Sequence, residues 1–307
     1  MTLSQLGVRI GTRGSPLALW QARWVASALQ QHHDGLQTEI IVIRTAGDRN
    51  RNDPLPKIGG KGLFVKDIEE ALLREEIHVA VHSMKDMPTD LPDGLHIVAV
   101  PPRAEVRDAF IGKDGRPLSQ INGMRRVGTG SLRRQAQLRA LSDSLQVRDL
   151  RGNVDTRLRK LRLGEVEGVV LAAAGLHRLG LASEITELLP VDVMVPAAGQ
   201  GALAVETVAG HWSDNLVTPL NHPPTASAVA AERAVLQHLG GGCSVPIAAL
   251  GEHRNGELHL QALVGSPDGR CTLRRAISGA PKQAVSLGQR LAALLRADGA
   301  DDILGAL

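Results

Sequence analysis

Apolar residues recur in short runs along the first two-thirds of the chain. Each run ends in a turn rich in Gly, Ser or Arg, and each turn leads into a stretch with helical spacing. Val8 to Thr12 reads as a strand, and Arg13-Gly14-Ser15-Pro16 then opens a helix that places Leu17, Trp20, Trp24 and Ala28 on one face. Ser15 is a natural N-cap because its hydroxyl can accept a free N–H of the first turn. Pro16 suits the first helical position, where no N–H is needed. Glu39–Arg44 predicts a second strand. A polar, Gly- and Pro-bearing stretch from Gly47 to Gly62 then leads to a helix over about Phe64–Arg74. Ile77–His82 predicts a third strand, running into Ser83-Met84-Lys85-Asp86, and Leu95–Val100 a fourth.

Pro101-Pro102 interrupts this rhythm and marks a crossover, after which the pattern repeats. Arg126–Thr129 leads through Gly130-Ser131 into a helix bearing Leu138 and Leu141. Leu145–Leu150 leads through Arg151-Gly152-Asn153 into a helix over Val154–Leu163, and Val169–Ala173 leads into Ala174–Arg178. A connector at Pro196–Gly201 precedes a short strand, Ala202–Glu206, and a further boundary falls at Thr218–Pro224. Beyond it come a helix over Thr225–Leu239 and strands near Val245–Leu250, Leu258–Val264 and Cys271–Ile277. Ser266–Gly269 turns the last two into a hairpin, and a helix over Lys282–Arg296 follows. Alternating strands and helices predict an α/β architecture, and the last segment a small α+β domain.

At 307 residues with 43% hydrophobic and 22% charged side chains, the chain can bury more than one core. The longest apolar run, Gly168–Leu176, is about half the ~20 residues that span a bilayer, and the first residues lack a secretory pattern. Two cysteines fit a reducing compartment, so a cytoplasmic protein without membrane contact is expected. Charge is unevenly placed. Of 35 basic residues 28 are Arg, and from Arg125 to Arg162 ten Arg and Lys160 face only Asp143, Asp149 and Asp155. That segment is net +8 within a chain of net +3, so an anionic partner is expected. With no Tyr, two Phe and three Trp, there is no aromatic series on which single-stranded nucleic acid could stack. A duplex binder that contacts only phosphates passes this test.

Ligands of parallel sheets sit beyond the carboxyl ends of the strands, where helix N-termini add free N–H groups. Those turns here carry Arg13 and Ser15, Ser83 and Lys85, Thr129 and Ser131 with Arg133 and Arg134, Arg151 and Asn153, and finally Arg178. A solvated basic surface would spread its arginines over exposed helical faces instead. Asp86 is the one acid among these bases. It is either half of a structural ion pair or a working carboxylate whose role as acid, base or electrostatic stabiliser the sequence leaves open. Cys271 reads as strand packing. Cys243 closes Gly240-Gly241-Gly242 and is either an incidental exposed thiol or a nucleophile or covalent anchor. Gly128-Thr129-Gly130 lacks the third glycine of a dinucleotide fingerprint, Gly59–Gly62 lacks Walker spacing, and no Cys/His metal constellation is present.

These stretches, together with Gly59–Phe64, Ala80–Pro88, Gly128–Arg134, Arg151–Leu158, Ala172–Leu181, Pro196–Leu203 and Gly241–Pro246, resemble the porphobilinogen deaminase (hydroxymethylbilane synthase) family in order. Gly130 stands where that family usually has Ser. The resemblance implies two type II periplasmic-binding-protein-like α/β domains facing a cleft, plus a small α+β C-terminal domain. The expected limits are 1–101 with 200–219, 102–199, and 220–307, the strand after Gln200 returning to the first domain. It implies a monomer whose Cys243 holds a dipyrromethane cofactor through a thioether. Four porphobilinogen units add head to tail on that cofactor with loss of ammonia, and hydrolysis then releases hydroxymethylbilane. Arg13, Ser15, Gln21, Ser83, Lys85, Thr129, Ser131, Arg133, Arg134, Asn153 and Arg157 are implied to hold the cofactor. Arg13, Arg151, Arg157 and Arg178 are implied to hold substrate, and Asp86 to protonate the departing amine and stabilise the cation left behind. Two rival readings remain on the residues alone, a non-enzymatic clamshell binder and a duplex nucleic-acid binder.

Overall fold

Two compact units account for the contacts of the chain: Met1–Ala104 with Ala202–Ala226, and Glu105–Gly201 with Ser227–Leu307. The computed structural model describes residues 7–45, 65–120, 126–242 and 245–306. The Gly47–Gly62 stretch and Cys243 lie outside the described residues. In the first unit, strands β1 (Val8–Thr12), β2 (Thr38–Val42) and β3 (Val79–Ser83) pair in parallel. Strand β4 (Leu95–Ala99) reaches them only through β10 (Leu203–Val208), which lies antiparallel between β3 and β4 in the order β2-β1-β3-β10-β4.

Side chains alternate across a strand, and the first sheet is buried on both faces accordingly. Val8, Ile10, Val79 and Val81 meet Ala22, Val25 and Leu29 of α1 (Pro16–His32). On the other face Ala80 meets Ile68, Ala71 and Leu72 of α2 (Lys66–Leu73). His82 and Glu206 share that second face and bond at 3.1 Å, both buried, and buried Glu69 of α2 faces them. Burial, and then the charge of Glu206, raise the Glu69 carboxyl to about 7, against a smaller lowering by His82.

The second unit holds a sheet built to the same plan. Strands β5 (Asp108–Gly112), β6 (Arg126–Gly128), β7 (Gln146–Arg148), β8 (Gly168–Ala172) and β9 (Glu187–Leu188) take the order β7-β6-β8-β5-β9, with β5 antiparallel to both neighbours. Both sheets therefore accept, in fourth place, the first strand after a crossover. Helix α3 (Leu132–Leu141) covers one face, with Leu138 against Phe110, Val127 and Val170. Helices α4 (Val154–Arg162) and α5 (Ala173–Arg178) cover the other through Leu158, Leu161 and Leu176. Strand β5 is absent from the expected elements. Its three apolar residues between Asp108 and Gly112 are buried on both faces and so carry no alternation to read.

Helix α6 (Ser213–Val217) closes the chain's return to the first unit. Helix α7 (Pro223–His238) and the antiparallel strands β11 (Ile247–Arg254), β12 (Glu257–Gly265) and β13 (Thr272–Gly279) then bury Val235, Leu260 and Val264 against Leu287, Leu291 and Leu295 of α8 (Ala284–Ala297). A last short helix, α9 (Ala300–Gly305), follows. Cys271 corrects its expected role as packing: it precedes β13, is exposed, and spends its backbone N–H on the Ser266 hydroxyl, closing the hairpin turn. Among the described residues no helix is long and apolar enough to cross a membrane.

Candidate active site

The carboxyl ends of β1 and β3 lie side by side in the first sheet and bring two of the expected residues into contact. Ser15 caps α1, its Oγ accepting the Ala18 N–H at 3.2 Å, and Pro16 occupies the first helical position. One turn on, buried Gln21 donates through Nε2 to Ser83 Oγ at 2.8 Å, while that hydroxyl donates to Gln21 Oε1 at 3.2 Å. Ser83 ends β3 opposite Leu203 of β10, and Met84 donates its N–H to Ala202 O at 3.0 Å. Buried Met84 and Met87 thus pin a single 3-10 turn that carries Lys85 and Asp86, both half-buried. Among the described residues the Asp86 side chain enters no hydrogen bond or ion pair. Arg13, at the end of β1, is half-buried.

In the second unit the same edge carries three turns. Thr129 follows β6 fully buried, and its Oγ1 accepts the Ser131 N–H at 3.3 Å. Ser131 caps α3 by accepting from Arg134 N. A Cβ on Gly130 would lie 3.1 Å from Leu150 O, so the turn is tight where Gly stands. After β7, Arg151 pairs with Asp149 at 2.8 Å, and Asn153 caps α4, its Oδ1 accepting from Thr156 N at 2.9 Å and Thr156 Oγ1 at 2.7 Å. Gly152 between them has φ +111, and Arg157 Nε donates to its carbonyl at 2.9 Å. After β8, Arg178 on α5 donates to Gly201 O at 2.7 Å, and burial lowers its guanidinium to about 10.

Arg133 and Arg134 stand apart from the half-buried Arg13, Arg151 and Arg157. They are 3% and 5% exposed, and both meet Asp108 on β5, a fully buried carboxylate. Arg134 grips Oδ1 through Nε at 3.1 Å and Nη2 at 2.6 Å, and Arg133 Nη1 donates to Oδ2 at 2.8 Å and to Val195 O at 2.7 Å. Gln200 completes the set, donating to Asp108 Oδ1 at 2.9 Å and to Val106 O at 2.7 Å. Burial pushes the Asp108 carboxyl up, but the two guanidiniums overcome it and hold the group below the usual carboxylate range. Two cations on one anion leave a net positive charge. Arg133 Nε is also buried without a partner among the described residues, and such a donor calls for an acceptor. Sequence reasoning missed Asp108 because it sits in the unread strand β5. Gln200 lies within Pro196–Leu203, yet nothing local assigns it a task.

Guanidinium forks, helix N-termini and hydroxyls, which each unit carries at its own carboxyl-edge turns, suit carboxylate ligands. Residues 8–213 match the family model "Porphobilinogen deaminase, dipyromethane cofactor binding domain", and residues 226–297 match "Porphobilinogen deaminase, C-terminal domain". The chain belongs to the porphobilinogen deaminase family. It is 50% identical over 301 residues to the porphobilinogen deaminase of Trichlorobacter lovleyi, covering 97% of this chain and 95% of that one. It is 49% identical over 306 residues to that of Syntrophotalea carbinolica, covering 99% and 97%. Against that of Geobacter sulfurreducens the figures are 48% over 308 residues, 99% and 95%. Among solved structures, a TRAP periplasmic solute binding protein from Desulfovibrio salexigens overlays with a TM-score of 0.42 at 9% identity, covering 70% of this chain and 72% of that one. The first match ends at the start of α6, within the return to the first unit, and the second begins in α7.

Proposed function

We propose that this chain polymerises porphobilinogen in tetrapyrrole biosynthesis, joining four units head to tail on a dipyrromethane primer and releasing hydroxymethylbilane by hydrolysis. The observation that carries the reading is the match of residues 8–213 to a dipyrromethane-binding domain, on a chain whose carboxyl-edge turns carry the matching cations. When bound, the primer would supply the free pyrrole carbon that accepts the first unit, each later unit joining the terminal ring of the growing chain. Its acetate and propionate groups suit the Arg133–Arg134 set, with Arg13, Lys85 and Arg157 and the hydroxyls of Ser15, Ser83, Thr129 and Ser131. Gln21 holds Ser83, and Asn153 shapes the turn that presents Arg151 and Arg157. Arg13, Arg151, Arg157 and Arg178 take the carboxylates of incoming porphobilinogen, for which a planar fork is better shaped than a point charge.

Each addition breaks the C–N bond of a substrate aminomethyl group, expels ammonia, forms a C–C bond and loses one pyrrole proton. Asp86 is placed in a pinned turn beside Lys85, and it is assigned both proton delivery to the departing amine and stabilisation of the positive charge that develops. Cys243 is assigned as the thioether anchor. The test is intact mass with peptide mapping, and Ehrlich's reagent for pyrroles. A two-pyrrole adduct on the Cys243 peptide, lost in Cys243→Ala, is the expected result. An unmodified wild-type chain grown with porphobilinogen available overturns the reading in favour of a plain binder.

A further inference from the structure

The C-terminal sheet reaches the helix that bears Arg133 and Arg134 through two groups outside the proposed anion set, Arg139 and Arg274. At the far end of α3, half-buried Arg139 donates through Nη1 to Pro267 O in the β12–β13 turn. The turn sits hard against the helix there: a Cβ on Gly269 would lie 2.6 Å from Ala140 N and 2.6 Å from Arg139 Cβ, and its φ is +77. No other residue allows both that conformation and that approach.

The second contact runs through the segment between Pro190 and Pro196. Arg274 of β13 donates to Asp192 O at 2.7 Å, to Val191 O at 3.1 Å and to Gln261 Oε1 at 2.6 Å. A few residues on, Val195 is clamped from both sides by α3. Its N–H donates to Gln137 Oε1 at 2.8 Å, and its carbonyl accepts from Gln137 Nε2 at 3.1 Å and Arg133 Nη1 at 2.7 Å. Buried Val195 also packs with Ala248, Leu250 and Leu263 of the C-terminal sheet.

The geometry points to Arg139 and Arg274 as positioning residues for primer capture: the C-terminal sheet uses them to hold α3, and with it the Arg133 guanidinium, in the setting that receives the dipyrromethane carboxylates. This rests on the function proposed above. A helix held at one end by a capped turn and at the other by a separate sheet cannot slide along its axis without breaking one of these bonds. A guanidinium shared between a carboxylate and a carbonyl moves with both.

The test uses full-length apo-chain from cells unable to make porphobilinogen, loaded afterwards with porphobilinogen and followed by intact mass, for wild type, Arg139→Ala, Arg139→Lys, Arg274→Ala and the Arg139→Ala/Arg274→Ala double variant. The expected result is loading slowed about fivefold in each single variant, the worth of one ordinary hydrogen bond, with the apo melting temperature lowered by no more than the few degrees that one such bond accounts for. Arg139→Lys, which keeps a cationic donor for Pro267 O, restores the rate. A double variant that loads as fast as wild type overturns the inference alone. So does slow loading that tracks a fall in melting temperature and is not restored by Arg139→Lys. A wild-type chain that takes up no pyrrole overturns the proposed function and this inference with it.

Discussion

Asp108 Oδ1 lies 2.6 Å from Nη2 and 3.1 Å from Nε of Arg134, a forked pair closed inside the second unit with Arg133 on the opposite oxygen. Buried ion pairs seldom add stability over apolar packing, so a buried carboxylate between two arginines is better understood as orienting them. The surplus positive charge is what a carboxylate-bearing guest can use.

Asp108→Asn should cost about 3–5 kcal/mol, because it leaves two buried guanidiniums without their counter-charge. Urea denaturation measures this, and intact mass should report poor primer loading in the same variant. A loss below about 1 kcal/mol with full loading would mean that the arginines are held by their carbonyl contacts instead.

Asp86→Asn should leave the fold, and a primer already attached, intact, since the carboxylate holds no other described group. Turnover should fall by about 10²–10⁴, the usual contribution of a placed proton donor. Single-turnover kinetics with porphobilinogen check this, and near-normal rates would remove Asp86 from the chemistry.

Glu69 gives a pH-dependent prediction. Its carboxyl is raised from 4.5 to about 7 in the folded chain, chiefly by burial. Between those values the native state binds more protons than the unfolded one, so its contribution is full below about pH 4.5 and is lost as pH rises toward and through 7. Glu69→Gln, which stays neutral, should therefore melt above wild type at pH 8 and close to it at pH 5. An equal difference at the two pH values would show that Glu69 does not titrate in this way.

Asn153→Ala should lower stability by about 1 kcal/mol, the ordinary value of an N-cap, while Asn153→Asp should be nearly neutral. Thermal melts of the two variants decide it. Equal losses would place the role of Asn153 in its amide nitrogen, which Asp lacks, rather than in the Oδ1 that caps the helix and accepts from Thr156 Oγ1.

Ser15 was legible as a cap because a cap acts over three residues, whereas Ser131 and Asn153 were singled out only as turn residues and prove to be caps. Strand β5 was not legible, and Asp108 was lost with it: a buried strand of five residues without alternation looks like a loop after Pro101-Pro102. The partner of Arg134 is 26 residues away and only topology brings it there. Gln21 and Ser83 were both singled out, yet their mutual bond spans 62 residues and no spacing rule predicts it. The same limit applies to His82, which bonds to Glu206 across neighbouring strands.

The insertion of β10 between β3 and β4 fixes an order of assembly during synthesis. Strand β4 has no neighbour in its sheet until residues 203–208 emerge, by which time the whole of 105–201 has already left the ribosome. The amino-terminal unit, made first, is therefore completed second, and its β3 edge stays unpaired in the interval. A nascent chain halted before Leu203 should carry a closed second sheet beside an open first one, a species that a chaperone would meet on every round of translation.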